Sequence, residues 1–228
     1  MTDKILDRRA FLTRGIGKAA QVITKHAVDK ARENASHWIR PPFAIEEFDF
    51  LMACDRCGEC IEACPHHIIF PLSSKLGAKV FSTPAMDLLN HGCHMCEDWP
   101  CVNVCKTTAL TGTQLLTDLE QAESVEALKN ENIARDEIEH SDNNLGQQPP
   151  KIAPPKIARV SININTCLPY NGPECGACRV CPVENAMLWE LEKPTINNEC
   201  CTGCALCREA CIVEPKAINV QSNYKQQV

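Results

Sequence analysis

Sixteen of the seventeen cysteines in this 228-residue chain fall into four tight groups, which limits the possible folds more than any other feature. Cys54, Cys57, Cys60 and Cys64 are spaced C-x2-C-x2-C-x3-C and are followed by Pro65. Cys93, Cys96, Cys101 and Cys105 have gaps of two, four and three residues. Cys167, Cys175, Cys178 and Cys181 have gaps of seven, two and two, with Pro182 next. In the last group Cys201, and not Cys200, restores the two-two-three spacing with Cys204, Cys207 and Cys211, so Cys200 is left over.

The spacing has a geometric meaning. Three thiolates with two residues between neighbours can wrap a loop around one cubane cluster and reach three of its irons. The fourth, after three more residues, leaves the loop as a helix begins and points at a different cluster. The first and fourth groups carry this run. Small residues such as Gly58 and Gly203 let the backbone approach inorganic sulfide and donate N–H bonds that help set the potential. Thiolates are soft ligands suited to iron–sulfur clusters. Disulfides would need an oxidising compartment, and an odd count strands one thiol. Zinc sites usually consist of two C-x2-C knuckles joined by a longer spacer, whereas the triple C-x2-C-x2-C occurs here three times. Unligated buried cysteine accounts for Cys200 but not for sixteen ordered ones. The expected cofactors are therefore four [4Fe–4S] clusters held by these sixteen thiolates.

Composition fits that expectation. With 3 Trp, 2 Tyr and 6 Phe, aromatics reach only 5%, thin for an ordinary core, and the clusters themselves are expected to make up much of it. No run approaches the ~20 apolar residues needed to span a bilayer. The only Gly-x-Gly, at Gly15 and Gly17, opens no β-α-β pattern, so a dinucleotide fold is not supported. No Ser–His–Asp set, carboxylate pair or phosphate loop is evident, and a net charge of −6 argues against nucleic acid. No catalytic residue is expected; the chain reads as an electron carrier.

The run CDRCGECIEACP, with CHMCEDWPCVNVC, CLPYNGPECGACRVCP and CTGCALCREACIVEPKAINV, resembles the four-cluster ferredoxin-type proteins of the NapG/MauM group, with NapF-like features. Arg8-Arg9 and Ile39-Arg40-Pro41-Pro42 add to the likeness, which covers most of residues 39–116 and 158–220. The resemblance implies an α+β, double bis-cluster ferredoxin-like fold with short strands and helices and an N-terminal helical arm. It implies single-electron transfer between a quinol-linked or reductase partner, such as a membrane quinol-oxidising protein, and a terminal oxidoreductase. A molybdoenzyme is a second partner type, and the alternative role is an accessory protein in molybdoenzyme maturation. It also implies that the first group pairs with the fourth, Cys54, Cys57 and Cys60 taking Cys211, and Cys201, Cys204 and Cys207 taking Cys64. The second group would pair with the third, with the crossing thiol open. Three departures stand out: the shortened gap before Cys181, Lys106 where the second group lacks a proline, and a longer insertion before the third group.

Four segments follow from this reading: a basic arm (1–40), a ferredoxin-type segment (41–116), an acidic helical insertion with a Pro-rich linker (117–156), and a second ferredoxin-type segment (157–228) folding with the first. The arm has nine Lys or Arg against four Asp or Glu, a local +5, leaving −11 for the remainder. Asp7-Arg8-Arg9-Ala10-Phe11-Leu12 resembles a twin-arginine export signal, but Lys18, Lys25 and His26 interrupt the apolar stretch such a signal needs. As a retained helix, Ile16, Ala20, Ile23, Ala27 and Ala31 share one face, suited to a membrane surface or an acidic partner. The expected location is cytoplasmic with peripheral membrane association through residues 1–40; the alternative is periplasmic, through a degenerate twin-arginine signal. Residues 117–142 carry nine acids and two bases, with Leu119, Ala122, Val125 and Leu128 at helical intervals, ahead of a linker ending in Pro154-Pro155. Alternation of Val160, Ile162 and Ile164 with polar residues predicts a strand over 158–164. Trp99 and Trp189 are expected to shield clusters, and His66, His67, His91 and His94 to lie around them or at the surface rather than ligate.

Overall fold

The computed structural model describes residues 8–111 and 154–224, with side chains in the first helix from Val22 onward. The acidic insertion and most of the linker lie outside the described residues. Helix α1 (Arg8–Ala35) takes up most of the basic arm, as its helical periodicity predicts. A short turn leads to α2 (Glu47–Ala53), whose first turn carries Glu47 and Asp49, where negative charge suits the helix dipole. Phe50 of α2 is fully buried.

The remaining elements are short. In the first half, α3 (Glu59–Glu62) is followed by a hairpin of β1 (Ile69–Pro71) and β2 (Pro84–Met86), with Ile69 opposite Met86. Next comes α4 (Pro100–Asn103), which starts with proline at a position where the missing N–H costs nothing. An isolated antiparallel bridge, Ala44 to Leu110, closes this half on itself. The second half repeats the plan. Strand β3 (Arg159–Ile162) pairs antiparallel with β6 (Ile218–Gln221), and β4 (Met187–Glu190) forms a hairpin with β5 (Lys193–Ile196). Between the hairpin and β6 lies α5 (Leu206–Glu209). The predicted strand over 158–164 is β3, shorter at its far end, where Ile164 is 55% exposed.

One apolar core runs through both halves. It contains Phe50, Leu88, Val102 and Leu110 from the first and Ile157, Val160 and Ile218 from the second. Seven of the cysteines sit in the same core, which is how a chain with so few aromatics closes an interior. Phe43 meets Trp99 edge to face at 5.0 Å, and Trp99 is buried as expected.

The junction of α1, α2 and the β1–β2 hairpin is pinned by a buried ion pair. Arg40 donates from Nε (2.9 Å) and Nη2 (2.6 Å) to the two Glu47 oxygens, in the bidentate arrangement a guanidinium favours. Its Nη1 reaches Thr83 Oγ1 and the Pro84 carbonyl, and the Trp38 indole N–H also donates to Glu47. The C-terminal segment joins the same knot: Tyr224 Oη accepts from the Glu47 N–H, and Ser222 Oγ donates to the Ala35 carbonyl.

Candidate metal centres

The first and fourth cysteine groups begin in loops whose backbone is bent the same way, and the second shares the first of the two bends at Met95 (φ +48). In the first group, Arg56 (φ +62) and Gly58 (φ +82) lie two and four residues after Cys54. In the fourth, Gly203 (φ +81) and Ala205 (φ +67) lie two and four residues after Cys201. Alternating left-handed residues turn successive amides towards a common centre, a concavity that binds negative charge. The Arg56 amide donates to the Cys54 sulfur, Met95 to Cys93, Gly203 to Cys201 and Leu206 to Cys204, each lowering that thiol's pKa against burial. Glycine marks only two of these positions, so the repeated backbone shape was hidden in sequence. The small size of Gly203 serves another purpose as well: a Cβ there would lie 2.1 Å from the carbonyl oxygen of Ala158.

The thiols assemble into four sets. Burial pushes Cys60 up to about 12, and Cys54, Cys105 and Cys57 act in the same direction, which places those four around one centre. Burial likewise raises Cys101 to about 12, with Cys93, Cys64, Cys60 and Cys96 acting in the same direction. Cys207, also near 12, is surrounded by Cys204, Cys181, Cys201 and Cys178. Cys178, pushed by burial to about 11, faces Cys167, Cys175 and Cys211, and these four thiols line a single pocket walled by Leu168, Pro194 and Ile212.

This arrangement corrects the pairing that the family resemblance implied. The first group pairs with the second, not the fourth, and the third pairs with the fourth. Within each half the last cysteines exchange: Cys105 joins Cys54, Cys57 and Cys60, while Cys64 joins Cys93, Cys96 and Cys101. Likewise Cys211 joins the third group and Cys181 the fourth. The cause is local. After Cys64 the β1–β2 hairpin returns the chain so that α3 packs on α4, and α5 packs on the turn Ala177–Val180 in the same way. Even with its shortened gap, Cys181 makes the same crossing.

The two halves meet at a backbone contact between cysteines. The Cys93 N–H donates to the Cys204 carbonyl at 2.7 Å. Beside it, the Gly92 N–H donates to Glu209 at 2.7 Å, and Thr202 Oγ1 approaches Met95 Sδ at 3.3 Å. The order of the thiol sets along the molecule is therefore the Cys54 set, the Cys93 set, the Cys201 set and the Cys167 set.

The donor chemistry of these sets suits a multi-iron group. Among the described residues, no three His, Cys, Asp or Glu side chains converge to hold a metal ion directly. A cubane takes one thiolate on each of four irons, so its ligands stand farther apart than the four around one zinc. Cys200 belongs to no set; its sulfur accepts from the Asn197 amide at 3.3 Å. His66, His67, His91 and His94 are exposed, and His66 stacks on His94 at 3.6 Å. Trp189 is half-buried beneath the Arg179 guanidinium at 3.9 Å. Lys106, where the second group lacks a proline, pairs with Glu59 at 2.6 Å.

Residues 51–70 match a family described as a 4Fe-4S binding domain. The chain is 32% identical to the methylamine utilization ferredoxin-type protein MauM of Methylobacillus flagellatus, across 80% of this chain and 67% of that protein. It is 30% identical to MauM of Methylophilus methylotrophus, across 93% and 83%. The ferredoxin-type protein NapG of Escherichia coli K12 shares 32% identity, across 80% and 69%. No solved structure matches. No described helix is long and apolar enough to cross a membrane. With its thiol-lined sets and these relatives, the chain belongs to the MauM and NapG family of ferredoxin-type [4Fe–4S] electron-transfer proteins.

Proposed function

We propose that the chain carries four [4Fe–4S] clusters in a double bis-cluster arrangement and conducts single electrons between a quinol-linked or reductase partner and a terminal oxidoreductase. The observation that carries this reading is the clustering of the thiols into four neighbouring sets, the Cys93 and Cys201 sets joined by the Cys93–Cys204 backbone bond. The bound clusters would supply one-electron redox chemistry. The protein's part is to hold each set of thiolates, exclude water and aim amides at the sulfurs. Neighbouring sets lie close: Cys101 lies near Cys60 as well as its own set, and Cys207 near Cys178. The third and second sets are deep in the core, whereas Cys57 of the first set is exposed, so that end is accessible to a partner.

Anaerobic purification with iron and acid-labile sulfide analysis tests the cofactor content. Four cubanes require about sixteen irons and sixteen sulfides per chain. Zinc, or about eight irons, contradicts the reading.

A further inference from the structure

Between α1 and α2 runs a trough of about 530 Å³ that the redox centres do not use. Its apolar walls come from Ile23, Ala27, Trp38, Leu51, Met52 and Val80. Its cations are Arg56, Lys79 and Lys30, the last already paired with Glu33 at 2.8 Å, and no Asp or Glu is among the described residues lining it. Ile23 is 69% exposed and Met52 77%, an unusual exposure for large apolar side chains facing a concavity.

The trough leads to the first thiol set. Met52 and Arg56 flank Cys54 in the chain, Cys54 ends α2, and exposed Cys57 is next to Arg56. Arg56 donates to the Lys79 carbonyl, which fixes the cationic rim beside the set. Along α1 the wall extends from Ile23 to Asn34, about 16 Å at the helical rise. That length suits about three turns of a second helix.

We propose that this trough docks an acidic amphipathic helix of the protein that exchanges electrons at the Cys54 set. The inference rests on the reading that this set holds a cluster. The walls supply the apolar contact, the cations select a negatively charged partner, and the adjacent Cys57 sets a short distance for transfer. A bilayer fits the shape poorly, because the apolar side chains line a concave channel between two helices rather than a protruding face.

The test uses the cluster-loaded full-length chain and a fluorescein-labelled synthetic helix with leucines on one face and glutamates on the other. Binding is followed by fluorescence anisotropy, and iron content is measured on the same samples. A normal iron content with no peptide binding overturns the docking proposal alone; a low iron content overturns the cluster reading instead. The expected result is salt-sensitive binding, weakened at least about tenfold by Lys30→Glu with Lys79→Glu, and also by Met52→Glu. Lys193→Glu, in the distant β4–β5 hairpin, should bind the peptide normally. Equal affinity in all variants overturns the proposal. So does binding of phosphatidylglycerol vesicles, with no peptide binding, that Met52→Glu abolishes. Self-association of the chain through the trough, lost in Met52→Glu, would also overturn it.

Discussion

The Cys93 N–H donates to the Cys204 carbonyl at 2.7 Å, so a residue of the Cys93 set touches a residue of the Cys201 set through backbone alone. Backbone contact of this kind fixes the separation of two centres more firmly than side-chain packing. Gly92 makes the approach possible: a Cβ there would lie 2.8 Å from the Leu206 Cα. Gly92→Ala should force the halves apart at a cost of about 1–3 kcal/mol. Each half should keep its iron, while electron exchange between the halves slows, as read by pulse radiolysis. Unchanged exchange would mean that the junction is not on the path.

The Arg40–Glu47 pair is buried, with side chains 6% and 0% exposed. Removing one partner strands the other charge away from water, a loss of about 3–5 kcal/mol. Arg40→Met should therefore lower the denaturation midpoint sharply, and Glu47→Gln by less, because the amide keeps the Trp38 bond.

Burial favours the neutral thiol at Cys60, Cys93, Cys101 and Cys207, whose pKa values rise from 9.0 to about 12. A raised folded value stabilises the cluster-free fold fully below the ordinary thiol pKa, and that contribution is lost as pH rises through the folded value. The cluster-free chain should lose stability between pH 9 and about 12, as followed by urea unfolding. Cluster loading at neutral pH converts neutral thiols to thiolates, so it should release protons to an indicator dye. A rising midpoint, or no proton release, would contradict the burial argument.

Cys200 is the thiol outside the sets, half-buried, its sulfur accepting from the Asn197 amide. Cys200→Ala should leave iron content and the EPR spectrum of the reduced protein unchanged. Loss of about four irons would move Cys200 into the Cys201 set.

How much of this was legible in the sequence differs by level. The four cysteine groups, the spare Cys200, the helix over the basic arm and a strand within 158–164 follow from spacing and periodicity, which are local; that the strand stops at Ile162 does not. The partners of the crossing cysteines do not, because Cys64 and Cys105 are directed by the hairpin and the packing of α3 on α4, both tertiary. The left-handed shape at Arg56 and Ala205 carries no glycine signal. No sequence spacing signals the pairing of Arg40 with Glu47, which only the fold brings together. The trough is likewise assembled from residues far apart in sequence, Ile23 to Val80.

Iron counts in paired serine variants test the cluster arrangement most directly. Cys54→Ser with Cys105→Ser removes two ligands of one set, and about twelve irons should remain. Cys54→Ser with Cys64→Ser removes one ligand from each of two sets, and about eight should remain. If the first pair leaves about eight and Cys54→Ser with Cys211→Ser leaves about twelve, the sets cross between the halves and the arrangement described here is wrong.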